Sequence, residues 1–336
     1  MNTNFDTLIT NYLSNYLPCQ IEVSENTLSS YCTTFKLLLK YSRECENFPS
    51  KNIEMSAFTD DLILRFLQWL ETERGASNAT INQRLFAIRS FFRYAQLETP
   101  QYFLNYSKIL NMPKRKTTKP SVSYIDTESI RKILHAPDNT TKIGRRDLTL
   151  LCVMYDTGAR VSEIVNLSVR DVRLDNPAKI RLLGKGRKIR DVPILPKTTE
   201  MLKQYMHENH LLKAEKYDDS LFYNRIGQRL TRAGVTYILQ KYTEGYSTVN
   251  DSPITPHILR HTKAMHLLQA GVSIVYIKDL LGHVNVATTE VYARADIEMK
   301  RKALEVVDSI APAVASQWQQ DATLLAWLED FGKTNK

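Results

Sequence analysis

The chain has 336 residues, of which 43% are hydrophobic and 24% charged, a composition typical of a globular protein with enough apolar side chains for two domain cores. No apolar run approaches the roughly 18 residues that a membrane span needs, and the N-terminus lacks the basic-then-apolar layout of a secretory signal. We therefore expect a cytoplasmic protein, and the net charge of +9 favours a polyanion as its partner.

The four cysteines, Cys19, Cys32, Cys45 and Cys152, form no CxxC pair. Three of them lie in stretches with helical periodicity, so we expect buried free thiols rather than disulfides or metal ligands.

The first 110 residues predict a helical domain. Apolar residues recur at three- and four-residue steps from Phe5 to Tyr16, again from about Thr27, and from Leu62 to Leu70, as one buried face of a helix requires. After Gly75, Ser77 or Asn78 can cap a fourth helix.

Polar side chains lie beside the apolar stripe of that fourth helix. They are Asn82, Gln83, Arg84, Arg89 and Arg93. Arginines suit phosphates or guanine edges and amides suit adenine, so this face can lie against DNA. A solvated basic face is the alternative, and the helix alone favours it.

A basic linker is predicted for residues 111–121. Two prolines, Pro113 and Pro120, bracket four cations with no apolar residue between them, which disfavours a packed element. The cations are Lys114, Arg115, Lys116 and Lys119. We interpret the segment as an extended strap suited to crossing a phosphate backbone, with a plain solvated linker as the alternative.

Residues 122–311 predict a second domain that is mainly helical with a small sheet. Asp126 or Thr127 can cap its first helix, and another is expected from about Arg145 to Tyr155. Two strands, Lys179 to Leu183 and Lys188 to Ile194, are joined by a glycine-containing turn at residues 184–187, which is a hairpin signal.

Four short stretches of this domain carry residues suited to phosphate chemistry. Arg160 follows a helix-ending glycine, Lys185 stands between two glycines at the hairpin tip, and His257 and Arg260 are one helical turn apart. The fourth stretch, Leu281 to Arg294, contains His283 and Tyr292. Each has an ordinary alternative: Arg160 can simply pair with Glu163, and Lys185 can be a solvated turn residue.

Together, and in this order, the four stretches resemble the tyrosine recombinase (phage integrase) family, of the Xer or transposon integrase kind. Its G-x-R-x-S-E-[IL]-x-x-L motif is matched by Gly158 to Leu167, its G-K-G hairpin by Gly184 to Gly186, and its H-x-L-R-H-[ST] motif by His257 to Thr262. Leu281 through Tyr292 matches L-G-H…T-T-x-x-Y. The resemblance implies a two-domain, C-shaped clamp on DNA, with no departure at a catalytic position.

Cleaving a phosphodiester covalently needs a nucleophile, a leaving-group acid and charge stabilisation. The resemblance assigns Tyr292 as nucleophile, with a 3′-phosphotyrosine and a free 5′-hydroxyl as products. Arg160 and Arg260 offer forked N–H donors to phosphate oxygens, and Lys185 is the best candidate to protonate the departing oxygen. His257 could take the tyrosine proton or bind phosphate, and His283 should donate to it. Arg187, at the same hairpin tip, is a further DNA-contact candidate.

Other nucleophiles and metal chemistry are less well supported. Tyr242 and Tyr246 lack a neighbouring histidine motif, and Tyr276 lies in an apolar run and is expected in the core. A two-metal nuclease needs clustered carboxylates, and a zinc site needs closely spaced His or Cys ligands. His207 and His210 are three residues apart, but the polar residues around them indicate an exposed helix face rather than a metal site. We expect no metal and no nucleotide cofactor.

Residues 312–336 predict a tail helix whose apolar stripe is Leu324, Trp327, Leu328 and Phe331. It can pack on its own domain or, as in the family, on a neighbouring protomer. The expected partners are double-stranded DNA with inverted repeats and further copies of the chain, two on one site and four in a synaptic complex. A type IB-like topoisomerase and a catalytically silent DNA-binding regulator on the same fold are the alternatives. A bacterial, nucleoid-associated location follows from this interpretation.

Overall fold

The computed structural model describes residues 4–49, 51–117, 122–248 and 251–282, together with Ala326. The chain divides into two units, Met1–Pro120 and Ser121–Lys336.

Helices make up the first unit. They are α1 (Phe5–Asn11), α2 (Glu25–Cys45), α3 (Asp60–Thr72), α4 (Asn78–Glu98) and α5 (Phe103–Asn111), with short 3₁₀ turns at Met55–Ala57 and Pro100–Tyr102. The predicted cap of α4 is confirmed at Ser77, whose hydroxyl accepts a hydrogen bond from the Thr80 amide.

The beginning of this unit differs from the prediction of one helix as far as Tyr16. α1 ends at Asn11 and continues as a wider π-helix, Tyr12–Gln20, which contains Pro18. Proline has no N–H for the usual helical hydrogen bond, and its ring crowds the preceding turn. The spacing of apolar residues alone does not reveal this change from an α-helix to a π-helix.

The core of the helical unit is rich in aromatic rings. Phe5 stacks on Phe58 with ring centroids 4.5 Å apart, and Phe91 meets Phe5 and Tyr12 edge-on. These rings are fully buried, and such contacts add to the stability that the buried area provides. The apolar face of α4 supplies Phe91, which leaves the polar face of α4 outside the core.

The second unit combines helices with one small sheet. Its helices are α6 (Thr127–His135), α7 (Lys142–Thr157), α8 (Val161–Val165), α9 (Pro196–Glu208), α10 (Arg232–Thr243), α11 (Pro256–Gln269) and α12 (Ile274–Leu281). Three-residue 3₁₀ turns lie at Val169–Asp171, Lys185–Arg187 and Ala214–Lys216. Asp126 caps α6 through hydrogen bonds from the Glu128 and Ser129 amides, as predicted.

The sheet has three antiparallel strands in the order β1 (Val172–Arg173), β2 (Lys179–Leu183) and β3 (Ile189–Pro193). The predicted hairpin between β2 and β3 is confirmed, with Leu182 opposite Arg190. β1 was not predicted, because a two-residue strand carries no alternation. Ile180, Leu182 and Val192 point into the core of this unit.

α11 and α12 pack on each other through a small apolar cluster of Ala264, Met265, Leu268, Ile277 and Leu281. The prediction that Tyr276 belongs to the core was wrong, because its side chain is 71% exposed. It lies next to Ile277, which is buried, and adjacent residues of an α-helix are about 100° apart around its axis, so Tyr276 points away from the cluster.

The cysteines are free, as expected, but only Cys152 is buried. Cys19, Cys32 and Cys45 are exposed, so their predicted burial was wrong: each lies on the outer face of a helix whose other face supplies the core. Among the helices that the structure describes, none is long and apolar enough to cross a membrane.

Candidate active site

Three arginines converge on the C-terminal end of α12. Arg190 Nε donates to the Leu280 carbonyl at 2.9 Å, Arg260 Nη2 to Leu281 at 2.6 Å, and Arg160 Nη2 to Gly282 at 3.3 Å. The last carbonyls of a helix have no partner within it and carry partial negative charge. Cationic donors from three other parts of the chain therefore satisfy three consecutive carbonyls.

Arg160 stands between α7 and α8. α7 ends at Gly158, whose backbone is left-handed (φ 55°), and α8 begins directly after Arg160. The side chain of Arg160 is 27% exposed, and its Nη1 donates to Glu163 Oε1 at 3.0 Å. The ion pair with Glu163 that the sequence suggested is present, and the guanidinium also reaches the end of α12.

Among the predicted site residues whose side chains the structure describes, Arg260 is the most enclosed, with 4% of its surface exposed. Besides Leu281, it donates from Nη1 to the Gly158 carbonyl at 2.7 Å, so it links α11 to the ends of both α7 and α12. His257, one turn earlier on α11, is exposed. The two side chains thus differ in environment: His257 is at the surface, and Arg260 is held inside by main-chain carbonyls.

Glu163 connects these groups. Its side chain is 2% exposed and accepts two hydrogen bonds from Arg190, each 2.8 Å, and one of 2.7 Å from the Arg160 amide. Burial by itself would raise the pKa of this carboxyl, but the bonds from Arg190 and the Arg160 amide, with both arginine charges, hold it below its ordinary value. Glu163 is therefore an ionised carboxylate between two guanidinium groups.

Arg190 was not identified from the sequence. In β3 it lies two residues before the buried Val192, and residues two apart in a strand are on the same face of the sheet. An arginine therefore occupies a position where the strand pattern predicts an apolar core residue. That inward arginine is the signal that could have found it. Its side chain is only 12% exposed.

Two glycines allow the close approach of these elements. A Cβ at Gly158 would lie 2.6 Å from Leu281 Cδ2, and one at Gly282 would lie 2.8 Å from Arg190 Nη1. Both glycines also have positive φ, at 55° and 64°, which other residues adopt at a cost.

The remaining predicted catalytic residues are only partly covered. Lys185 lies in the turn between β2 and β3, as predicted, and its backbone alone is described. His283 and Tyr292 lie outside the described residues, and so does the tail stripe from Leu324 to Phe331. The described part thus brings Arg160 and Arg260 together and leaves the other assignments as predictions.

Two further histidines of α11 are enclosed. Burial, with His257 and Arg260 nearby, lowers the pKa of His261 to about 4. Burial also lowers the pKa of His266, whose ring nitrogens hydrogen-bond to the Tyr155 hydroxyl and the Ile125 carbonyl. Both are therefore neutral at pH 7.

The polar face of α4 is partly engaged within its own unit. Arg84 Nη1 donates to the Ser30 carbonyl and to Thr34 Oγ1, and Gln83 donates to Ser30 Oγ, all on α2. Arg93 is exposed, whereas Arg89 is half-buried. No carboxylate of the described residues forms an ion pair with Arg84, Arg89 or Arg93.

The basic strap is anchored to that unit rather than fully solvated. Asn82 exchanges two 2.9 Å hydrogen bonds with the Arg115 backbone, and Asn78 donates to the Lys116 carbonyl. The Arg115 side chain pairs with Glu71 at 2.5 Å. The amide of Asn82, assigned to adenine from the sequence, is thus used on the strap. Lys114 and Lys116 are exposed, and so is Arg187 of the hairpin turn, while Lys119 lies outside the described residues.

Rival nucleophiles and metal sites gain no support in the parts of the chain that the structure covers. The Tyr242 hydroxyl is engaged by Asp147 and Lys241. No group of three His, Cys, Asp or Glu residues there could hold a metal ion.

Comparison with known proteins finds matches to both units of the chain. A model of the phage integrase family matches residues 123–299, and a model of the N-terminal SAM-like domain of phage integrases matches residues 9–99. The protein y4rC of Sinorhizobium fredii, named as an integrase/recombinase, is 36% identical over 329 residues, which are 96% of this chain and 97% of that protein. Tyrosine recombinase XerC of Chlamydia caviae is 33% identical over 84% of this chain and 92% of its own length.

A solved structure has the same fold. XerH site-specific recombinase, bound to its difH substrate in a pre-cleavage complex, matches 82% of this chain and 78% of its own chain with a TM-score of 0.64 at 24% identity.

Proposed function

Since the chain belongs to the phage integrase family of tyrosine recombinases and is a DNA strand transferase in site-specific recombination, we propose that Tyr292 is its nucleophile. The observation that carries this proposal is the meeting of Arg160 and Arg260 at the end of α12. These arginines come from distant parts of the chain, and the segment that holds Tyr292 begins directly after that helix end. A phosphate between the two guanidinium groups is thus within reach of the chain that carries the phenol.

In the proposed reaction the Tyr292 oxygen attacks the phosphorus of one strand. The bond from phosphorus to the 5′-oxygen breaks, the phenolic proton passes to a base such as His257, and Lys185 protonates the departing oxygen. Arg160, Arg260 and His283 stabilise the charge on the non-bridging oxygens, and such preorganised donors supply a large share of catalysis in dry sites. The products are a 3′-phosphotyrosine and a free 5′-hydroxyl.

Rejoining is the same step in reverse. The phosphotyrosyl ester replaces the phosphodiester, so the 5′-hydroxyl of a partner strand can attack it and release Tyr292 without ATP. The same donors serve both directions, and the proposed chemistry uses no metal ion or other cofactor.

A nicked suicide substrate tests this proposal. The full-length protein should form a covalent DNA adduct that is lost in Tyr292→Phe and unaffected by EDTA. Tyr276→Phe is the matched control, because Tyr276 is exposed on α12 and should retain the adduct. An adduct that persists in Tyr292→Phe would refute the assignment of the nucleophile, and a protein that traps no adduct would be a silent regulator.

We place the DNA-binding face of the helical unit on α4 and the strap. Gln83, Arg84, Arg89 and Arg93 lie on α4, where Gln83 and Arg93 are exposed, and Lys114 and Lys116 are exposed on the anchored strap. The buried Nε of Arg89 has no hydrogen-bond partner among the described residues. The pKa of Arg89 is lowered mainly by burial and, to a smaller extent, by the charge of Arg93. Cations without a carboxylate partner suit a polyanion. Lys119 and Arg187 complete the proposed contacts together with Arg115, whose side chain would have to share its charge with Glu71. Asn82 contributes by holding the strap.

The proposed domains are 1–110 for DNA binding, 111–121 for the linker, 122–311 for catalysis and 312–336 for contact between protomers. Two copies would bind one site with inverted repeats, and four would form the synaptic complex. A bacterial cytoplasmic location on the nucleoid, and a role in integration or transposition, fit this assembly.

Truncation after Ser316 tests the assembly. The shortened protein should bind a single half-site with nearly unchanged affinity but lose cooperative binding to the paired site in a gel-shift titration. Unchanged cooperativity would contradict a contact in trans, and a relaxing activity of the monomer on supercoiled DNA would favour the topoisomerase alternative.

A further inference from the structure

Arg190 uses all three of its donor nitrogens on two elements of the active site. Nη1 and Nη2 bind the two oxygens of Glu163, and Nε binds the Leu280 carbonyl. A guanidinium fixed at three points in this way cannot change rotamer without breaking an ion pair that is almost out of solvent.

The contacts of Arg190 reach the proposed catalytic groups from three directions. Through Glu163 it sets the position of Arg160, which shares the same carboxylate through its amide and its side chain. Through Leu280 it holds the end of α12, from which the chain continues to His283 and Tyr292. Through β3 it belongs to the hairpin whose turn contains Lys185.

We propose that Arg190 is a positioning residue of strand cleavage: it holds Glu163, and through it Arg160, in register with the end of α12. The inference rests on the proposed function of this site. The three donor nitrogens of Arg190 are used on Glu163 and Leu280, so its effect on the reaction passes through the groups that it orients.

A positioning role predicts a specific kinetic pattern. Arg190→Met replaces the guanidinium by an uncharged side chain and leaves Arg160 with a poorly oriented partner. A misplacement of about 1 Å at a reacting centre can cost on the order of 100-fold in rate. We expect single-turnover cleavage of a suicide substrate at saturating protein to slow by about that factor, with the DNA dissociation constant unchanged within about two-fold.

The pH profile separates this role from a general loss of stability. Without Arg190, burial dominates at Glu163 and its pKa rises, so the variant should lose activity as the pH falls beyond any loss that the wild type shows over the same range. The charged groups that face Glu163 are Arg160 on its own turn and Arg190 on β3. Arg170, Asp171, Arg181 and Tyr217 line the cavity beside it. Taking the ratio of variant to wild-type rate at each pH cancels the titration of the shared catalytic groups.

Two companion variants keep the test decisive if Arg190→Met folds poorly. Arg190→Lys retains the charge but lacks the forked N–H donors of a guanidinium. It should therefore fold like the wild type but cleave DNA more slowly. Glu163→Gln removes the titrating group, so Arg190→Met in that background should lose its extra dependence on pH. Lys179→Met is the matched control, because Lys179 lies on the same sheet, pairs with the exposed Asp191 and is not among the residues that line the cavity beside Glu163; its cleavage rate should match the wild type.

The outcomes are distinguishable from a failure of the proposed function. If the adduct requires Tyr292 and Arg190→Lys cleaves at the wild-type rate at every pH, the positioning role is refuted and the function stands. If the adduct does not require Tyr292, the proposed function fails. A uniform loss of rate with a pH profile parallel to the wild type would make Arg190 merely structural and would also overturn the inference.

Discussion

Asn82 and Arg115 hold each other through a pair of hydrogen bonds: the Asn82 amide donates to the Arg115 carbonyl and accepts from its N–H, both at 2.9 Å. A side-chain amide paired in this way imitates one rung of a β-ladder. It fixes a segment whose composition, taken alone, predicts an extended solvated strand.

Breaking this pair should loosen the strap without unfolding the helices. In Asn82→Ala both bonds are lost, each worth about 0.5–1.5 kcal/mol, and trypsin should cleave after Lys114, Arg115 or Lys116 faster than in the wild type. DNA affinity should fall several-fold, because binding must then order the strap.

Asn78→Ala is the graded control for this prediction. Asn78 makes a single 3.0 Å hydrogen bond to the Lys116 carbonyl at an exposed position. Trypsin should therefore cleave Asn78→Ala at a rate between those of the wild type and Asn82→Ala. Equal cleavage of wild type and Asn82→Ala would show that the pair does not hold the strap.

Arg84 and Arg93 should respond differently to substitution by alanine. Arg93→Ala should reduce the slope of log affinity against log salt by about 0.9, as expected for the loss of one phosphate contact. Arg84→Ala should lower the free energy of unfolding of the helical unit by about 1 kcal/mol, because its bonds to Ser30 and Thr34 join α4 to α2. Filter binding at several salt concentrations measures the first effect, and urea denaturation measures the second. A changed salt slope only for Arg84→Ala, with a loss of stability only for Arg93→Ala, would contradict these two roles.

Gly158→Ala should be costly for two separable reasons. The left-handed backbone costs about 1–2 kcal/mol for a residue with a Cβ, and the contact with Leu281 adds about 1–3 kcal/mol of overpacking. Gly271→Ala is the control, because Gly271 also has positive φ (81°) but nothing within 4 Å of a Cβ. Thermal denaturation should show the larger loss of stability for Gly158→Ala. Equal losses in the two variants would mean that the Leu281 side chain moves aside without an energetic penalty.

Acid should destabilise the second unit partly through His261. Burial, then His257 and Arg260, lowers its pKa from an ordinary 6.5 to about 4. Between these values the unfolded chain binds a proton that the folded chain does not, so stability is complete above about pH 6.5 and is lost as the pH falls toward 4. Denaturant titrations of His261→Gln should show a shallower decline in this window, and an unchanged slope would assign the decline to other groups.

The sequence predicted well what depends on neighbouring residues. Ser77 and Asp126 act as caps, the β2–β3 hairpin forms at its glycines, and Gly158 ends α7 as expected. Each of these features is set by a few consecutive residues.

The features that escaped prediction depend on residues far apart in the chain. Arg190 and Glu163 meet across 27 positions, and Arg160 reaches Gly282 across 122. Tyr276 and three of the cysteines were assigned to the core from local hydrophobicity or helical periodicity, although which face of a helix is covered is decided by tertiary packing. No spacing rule contains that information.

The carbonyls at the end of α12 would make the proposed phosphate binding an exchange. A DNA phosphate bound by Arg160 and Arg260, as we propose, would meet guanidinium groups that already interact with Gly282 and Leu281, so part of its attraction would replace contacts that the chain makes with itself. Free inorganic phosphate would face the same competition without the other contacts of a duplex. The proposed site would therefore hold a small anion less well than an anion that is part of a polymer.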